Sequence, residues 1–214
     1  MEWDQGGTSH QYYGNYNGGS NWTTLDGMED TFVPGLKGAI FSYEMGPLMV
    51  DKIETWEEDD QTMAVRFVIN NTSGSEATNI RLMHAIDPNQ DSQIGYGPHT
   101  FNDVRADGRY ASSVGTYTGL TFSYGTCDSD DELGITYRQE DADASFSDPD
   151  GSSSDHTLHW RSRITNLAPG SMVEVGFVVT WGATTVEAET NYDTMWSTLC
   201  SPGCDADADG YESI

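Results

Sequence analysis

A chain of 214 residues with 35 acidic and nine basic side chains carries a formal net charge of −26, which argues against nucleic acid and anionic membranes as partners. Its 36 % hydrophobic content supports one sizeable core and argues against a disordered acidic chain. No apolar run approaches the ~20 residues of a membrane span, so no membrane insertion is expected.

Residues 1–30 are rich in Gly, Tyr, Asn, Ser and Trp and show no hydrophobic period, so they read as loop or short irregular strand. Met1-Glu2-Trp3-Asp4 lacks a basic start and an apolar stretch, as expected of a mature or trimmed chain. Tyr12, Tyr13, Tyr16 and Trp22 alternate with small polar residues and are candidate ligand-binding residues, able to stack on sugar rings. The bland alternative is a segment laid over the main domain.

Residues 31–200 form the expected main domain. Period-two alternation predicts strands over 39–43, 50–56 and 63–70, where Met63, Val65, Phe67 and Ile69 share a face. After the turn cluster Asn71-Thr72-Ser73-Gly74-Ser75, the residues Ile80, Leu82, His84 and Ile86 form the next inward face. His84 reads as a satisfied core histidine. Further strands are expected over 120–124, 133–138, 156–164 and 172–181, and the helix over 186–199, with Met195, Trp196 and Leu199 as its apolar contacts. Many short strands between Gly, Asp and Ser turns predict an all-β antiparallel sandwich with a short C-terminal helix.

Two stretches have metal-loop spacing. Asp87, Asn89 and Asp91 place oxygens at i, i+2 and i+4, with Pro88 shaping the turn, and Asn102 and Asp103 offer more from a neighbouring loop. The competing reading is that Asp87 and Asp91 cap turns by accepting backbone amides. The second stretch is the tail, 201–214. Asp205, Asp207 and Asp209, closed by Gly210 and followed by Tyr211, form the opening half of a Ca²⁺ loop. The bidentate Glu of an EF-hand would fall beyond Ile214, so the loop reads as a repeat cut short or completed by another chain or segment. Cys200 and Cys204 flank Ser201-Pro202-Gly203, spaced for a short-loop disulfide that pins the tail; Cys127 is left over, or pairs with one of them.

The acidic clusters Asp128–Glu132 and Asp141–Asp143 read as solvated loops. His159, Arg161 and Arg163 share a strand face, a cationic stripe expected to pair with carboxylates of the next strand, or to hold an anionic sugar or a neighbour's acidic tail. No G-x-S-x-G, H-E-x-x-H, P-loop or dinucleotide fingerprint is present. Among 35 acidic residues some carboxylate pair is inevitable, so a pair alone says little about glycoside hydrolysis.

The run from Asn70-Asn71-Thr72-Ser73-Gly74 through Asp87-Pro88-Asn89-Gln90-Asp91 to Asn102-Asp103-Val104 resembles β-sandwich modules of large bacterial surface proteins. Asn89 stands where such loops usually carry an acid, which weakens ion binding. The tail resembles thrombospondin type 3-like repeats of secreted bacterial proteins, where a Cys often precedes the DxDxDG run. Together these resemblances imply a secreted, non-catalytic, Ca²⁺-binding structural or adhesive module of the cell surface. Self-association into a filament or sheath, or contact with neighbouring modules, is the expected partnership. Carbohydrate binding is the alternative, and a polysaccharide-degrading enzyme comes third.

Overall fold

The period-two stretches pair into two antiparallel sheets. The computed structural model describes residues 1–11, 36–57, 60–128, 130–136, 146 and 152–199. In chain order the strands are β1 (Glu2–Gln5), β2 (Thr8–Gln11), β3 (Leu36–Met45), β4 (Leu48–Glu57), β5 (Thr62–Asn71), β6 (Ala77–Ile86), β7 (Thr100–Val104), β8 (Tyr110–Gly115), β9 (Thr121–Gly125), β10 (Glu132–Thr136), β11 (Ser152–Ser154), β12 (Thr157–Leu167) and β13 (Met172–Gly182). A single α-helix among the described residues, α1 (Thr185–Leu199), follows. The larger sheet runs β11-β7-β8-β9-β13-β5-β4-β3, and the smaller runs β10-β12-β6-β1-β2. This is an all-β sandwich.

The core forms where the alternating faces meet. Val65, Phe67 and Ile69 of β5 and Val175, Phe177 and Val179 of β13 face Ile80 and Leu82 of β6 and Leu158, Trp160 and Ile164 of β12, all buried. Fully burying one such side chain is worth roughly 1.5–3 kcal/mol. The aromatic centre bridges the sheets: Trp160 stacks on Phe67 at 5.8 Å between centroids, and Phe177 lies 4.9 Å from Trp160. His84 joins this cluster, with its Nδ1 2.9 Å from the Tyr124 hydroxyl, as expected of a satisfied core histidine.

Two expectations need correcting, and at the N-terminus the short-strand alternative of the reading is the one found. The N-terminal residues 2–11 form a hairpin turned by Gly6 and Gly7, both at positive φ, and β1 pairs with β6. Its strands are four residues long, too short for a period to show. Residues 100–104, read as loop oxygens, are a strand, because pairing with β8 overrides the weak strand preference of Asn and Asp. The helix docks through Ala188 and Tyr192, both fully buried, with Met195 and Trp196 only half-buried. Glycine at 125 permits this approach: a Cβ there would lie 2.0 Å from the Tyr192 ring. Arg105 then locks the helix, lying 5.1 Å over the Tyr192 ring and 3.0 Å from the Asp193 carboxylate.

Candidate functional site

The two ends of β8 carry the molecule's chemistry. At one end Asp91, almost fully buried, ties two loops together. Its Oδ2 accepts the Tyr117 amide at 2.8 Å, and its Oδ1 accepts the Thr118 hydroxyl at 2.6 Å and the Thr118 amide at 3.2 Å. Its carbonyl accepts the amides of Ile94 and Tyr96, each at 3.2 Å. Burial disfavours the carboxylate, but the Thr118 hydroxyl and the two amides outweigh it and hold the carboxyl below its ordinary value. Gly115 makes room, since a Cβ there would sit 2.6 Å from Asp91 Oδ1.

The loops so joined present aromatic rings to solvent. Tyr96 and Tyr117 stack at 4.2 Å with planes 17° apart, yet remain 49 % and 65 % exposed. Ile94, Phe101 and Leu120 are exposed in the same stretch of chain. Five of the seven large apolar side chains that stand exposed among the described residues therefore fall between residues 94 and 120. Scattered exposed apolar residues need no explanation, but a concentration of them does.

The predicted calcium oxygens on this side sit in different surroundings. Asp91 spends its carboxylate on the hairpin, as the turn-capping reading expects. Asn102 is buried, accepting the Thr100 hydroxyl at 3.0 Å and donating to the Thr100 carbonyl at 3.1 Å. Asp103, the next residue of β7, is exposed and points to the opposite face. Asp87 is exposed on the loop after β6, and Asn89 is half-buried. Among the described residues no group of three or more His, Cys, Asp or Glu side chains could hold a metal ion. Asp205, Asp207, Asp209 and Tyr211, the aromatic set Tyr12, Tyr13, Tyr16 and Trp22, and the pair Cys200 and Cys204 all lie outside the described residues.

At the other end of β8 a cleft of about 650 Å³ opens between the β7–β8 turn, the loop entering β10, and β12. The stripe His159, Arg161 and Arg163 meets its expected carboxylate here. Glu132 of β10 pairs with the buried Arg161 guanidinium and reaches Arg163 at 3.5 Å. Phe146 covers the stripe, 4.4 Å from the Arg161 guanidinium carbon and 5.3 Å from the His159 ring. Asp131 closes the floor. Its Oδ2 accepts Trp160 Nε1 and the Thr126 hydroxyl, each at 2.7 Å, with Ser162 a further donor. Burial is the largest influence on this carboxyl and pushes its pKa up to about 6, against those three donors. Its Oδ1 is buried, and through Oδ2 the group joins the loop to the core.

Sequence reasoning missed the Tyr96–Tyr117 pair. The available signal was local: each tyrosine sits between turn-forming residues, as Gly95-Tyr96-Gly97 and Thr116-Tyr117-Thr118.

No protein-family model matches the chain, and no curated protein matches it in sequence. Solved structures do. Heparan sulfate lyase HepC from Pedobacter heparinus is 6 % identical, with 73 % of this chain and 21 % of that chain covered and a TM-score of 0.45. The GH36 α-galactosidase AgaB from Geobacillus stearothermophilus is 10 % identical, over 92 % of this chain and 32 % of that one, with a TM-score of 0.49. A galactose mutarotase related enzyme from Lactobacillus acidophilus is 8 % identical, over 86 % and 79 %, with a TM-score of 0.39. This chain spans between a fifth and a third of the lyase and the galactosidase. No activity is transferred from them.

Proposed function

We propose that this chain is a secreted, non-catalytic surface module that adheres to glycans through Tyr96 and Tyr117. The observation that carries this reading is the exposed stacked pair on loops pinned by the buried Asp91. The apolar CH face of a sugar ring is complementary to an exposed tyrosine face, while the phenol hydroxyl serves the sugar's polar rim. Anchoring the loops beforehand reduces the ordering entropy that binding would otherwise cost. On a glycan array with calcium present, the protein should bind a subset of glycans, and Tyr117→Ala and Tyr96→Ala should each weaken that binding at least tenfold. An array that stays blank, or alanine variants that bind like the parent, would refute the reading.

A second reading concerns calcium, and it rests on the Asp205-Ala206-Asp207-Ala208-Asp209-Gly210 run together with the net charge of −26. Ca²⁺ held by the tail would rigidify the module's end and neutralise part of the self-repulsion. Thermal unfolding and particle size are compared at about 5 mM Ca²⁺, above the weakest extracellular sites, and with EDTA. Calcium should raise Tm by several degrees or promote assembly, and deletion of residues 201–214 should remove the effect. Identical traces in calcium and EDTA would leave the aspartates as solvating charge.

A further inference from the structure

We propose that the cleft at the other end of β8 is a second binding site, which takes a carboxylated sugar unit of the uronic-acid type. β8 is six residues long, so the cleft and the tyrosine pair lie roughly 20 Å apart and serve different parts of a ligand or different ligands. The volume of about 650 Å³ falls in the range of small-molecule sites, roughly 300–1,000 Å³.

The lining selects the ligand's chemistry. Arg109, Arg161 and Arg163 are three of only nine basic residues in the chain, gathered at one place in a strongly acidic protein. Arg161 is committed to Glu132 and Phe146. Arg163 lines the cleft, is 48 % exposed and, among the described residues, meets Glu132 through Nε at 3.5 Å, a contact that does not use its terminal nitrogens. Arg109 lies 6.0 Å over the Trp196 ring, a contact that does not use its donors. Among the described residues two guanidiniums therefore keep donors for a carboxylate, a group that arginine holds through paired hydrogen bonds.

Carboxylates stand beside those cations. Asp107 is taken up by Arg105 and the Arg109 amide, but Asp128 uses only Oδ1 among the described residues, to accept the Asp130 amide. Asp128 and Glu132 would repel a dianion such as phosphate and would accept hydroxyl donors. A ligand with one negative charge, several hydroxyls and an apolar ring face to set against Phe146 satisfies all three demands. A hydroxylated ring carboxylate has that combination; neutral sugars lack the charge, and simple carboxylates lack the hydroxyls and the face.

Isothermal titration with methyl glucuronide and methyl galacturonide, against methyl glucoside, acetate and inorganic phosphate, tests this. At least one uronide should bind tenfold or more tightly than any of the three controls. Arg109→Gln and Arg163→Gln should each weaken it about tenfold, the loss of one charge-assisted hydrogen bond, with unchanged unfolding curves. Tyr117→Ala should leave uronide binding intact, so failure here and failure of the tyrosine reading are separable. No uronide binding, equal binding of acetate or methyl glucoside, or indifference to both arginine substitutions would overturn the proposal.

Discussion

Lowering the pH from 7 to 4 is expected to cost this protein a net of roughly 4 kcal/mol of folding stability, as losses at the half-buried His84 and the buried His159 outweigh a gain at Asp131. Burial among Phe67, Tyr124 and Phe177 is the main cause that lowers the His84 pKa to about 3, with the charges of Lys52 and His159 adding to it. His159, beneath Phe146, is lowered by burial to about 4, against a Thr136 backbone contact that favours the charged form and alongside Arg161, which opposes it. Unfolded, both titrate at the ordinary value near 6.5. Because their folded values are depressed, their contribution is fully present above pH 6.5. It is lost as pH falls through about 4 for His159 and toward about 3 for His84. At pH 4 each loses roughly 3 kcal/mol.

Asp131 acts in the opposite sense. Its folded value is raised from 3.8 to about 6, so its contribution is present below the unfolded value and is lost as pH rises through about 6. Acidification therefore recovers roughly 2 kcal/mol there. Urea unfolding at pH 7, 5 and 4 measures the net slope. Relief of carboxylate repulsion also accompanies acidification, but it is shared by a variant that cannot protonate. His159→Phe, stacked in place of the imidazole, should lose about a quarter as much stability between pH 7 and 4 as the parent, roughly 1 kcal/mol against 4. Equal losses in the two proteins would show that His159 does not titrate in the unfolded chain alone.

Replacing Asp131 by Ala should cost about 3 kcal/mol at pH 7, while Asp131→Asn should stay within about 1 kcal/mol of the parent. Alanine strands three donors, Trp160 Nε1 and the hydroxyls of Thr126 and Ser162, in a buried place where each unmet group is penalised. Asparagine keeps one oxygen for Trp160 and removes the desolvated charge that raises the carboxyl's pKa, so loss and gain nearly offset. The asparagine variant should also lack the Asp131 limb of the pH profile between about 4 and 6, which checks the assignment independently of absolute stability. An alanine variant as stable as the parent would mean that water reaches those donors and that the loop entering β10 is not fastened by this carboxylate.

What could be read from the amino-acid sequence were the features that repeat along it. Val65, Phe67 and Ile69 and Val175, Phe177 and Val179 alternate because a strand buries every second residue, and this local period alone determined the sandwich class. The place of His84 among Ile80, Leu82 and Ile86, and the pairing of the Arg161–Arg163 stripe with a carboxylate, followed from the same period. Features that depend on distant partners could not be read so. Asp91 has the spacing of a metal loop, and only the arrival of Tyr117 and Thr118, 26 and 27 residues later, turned its carboxylate into an anchor. Asn102 and Asp103 look like loop residues until β8 pairs with them. Trp160 acquires its acceptor from Asp131, 29 residues earlier, and Tyr192 docks because Gly125 leaves the room its ring needs. Short-range periodicity settles which residues turn inward; long-range packing decides which polar groups and rings meet, and in this protein both candidate sites are made of such meetings.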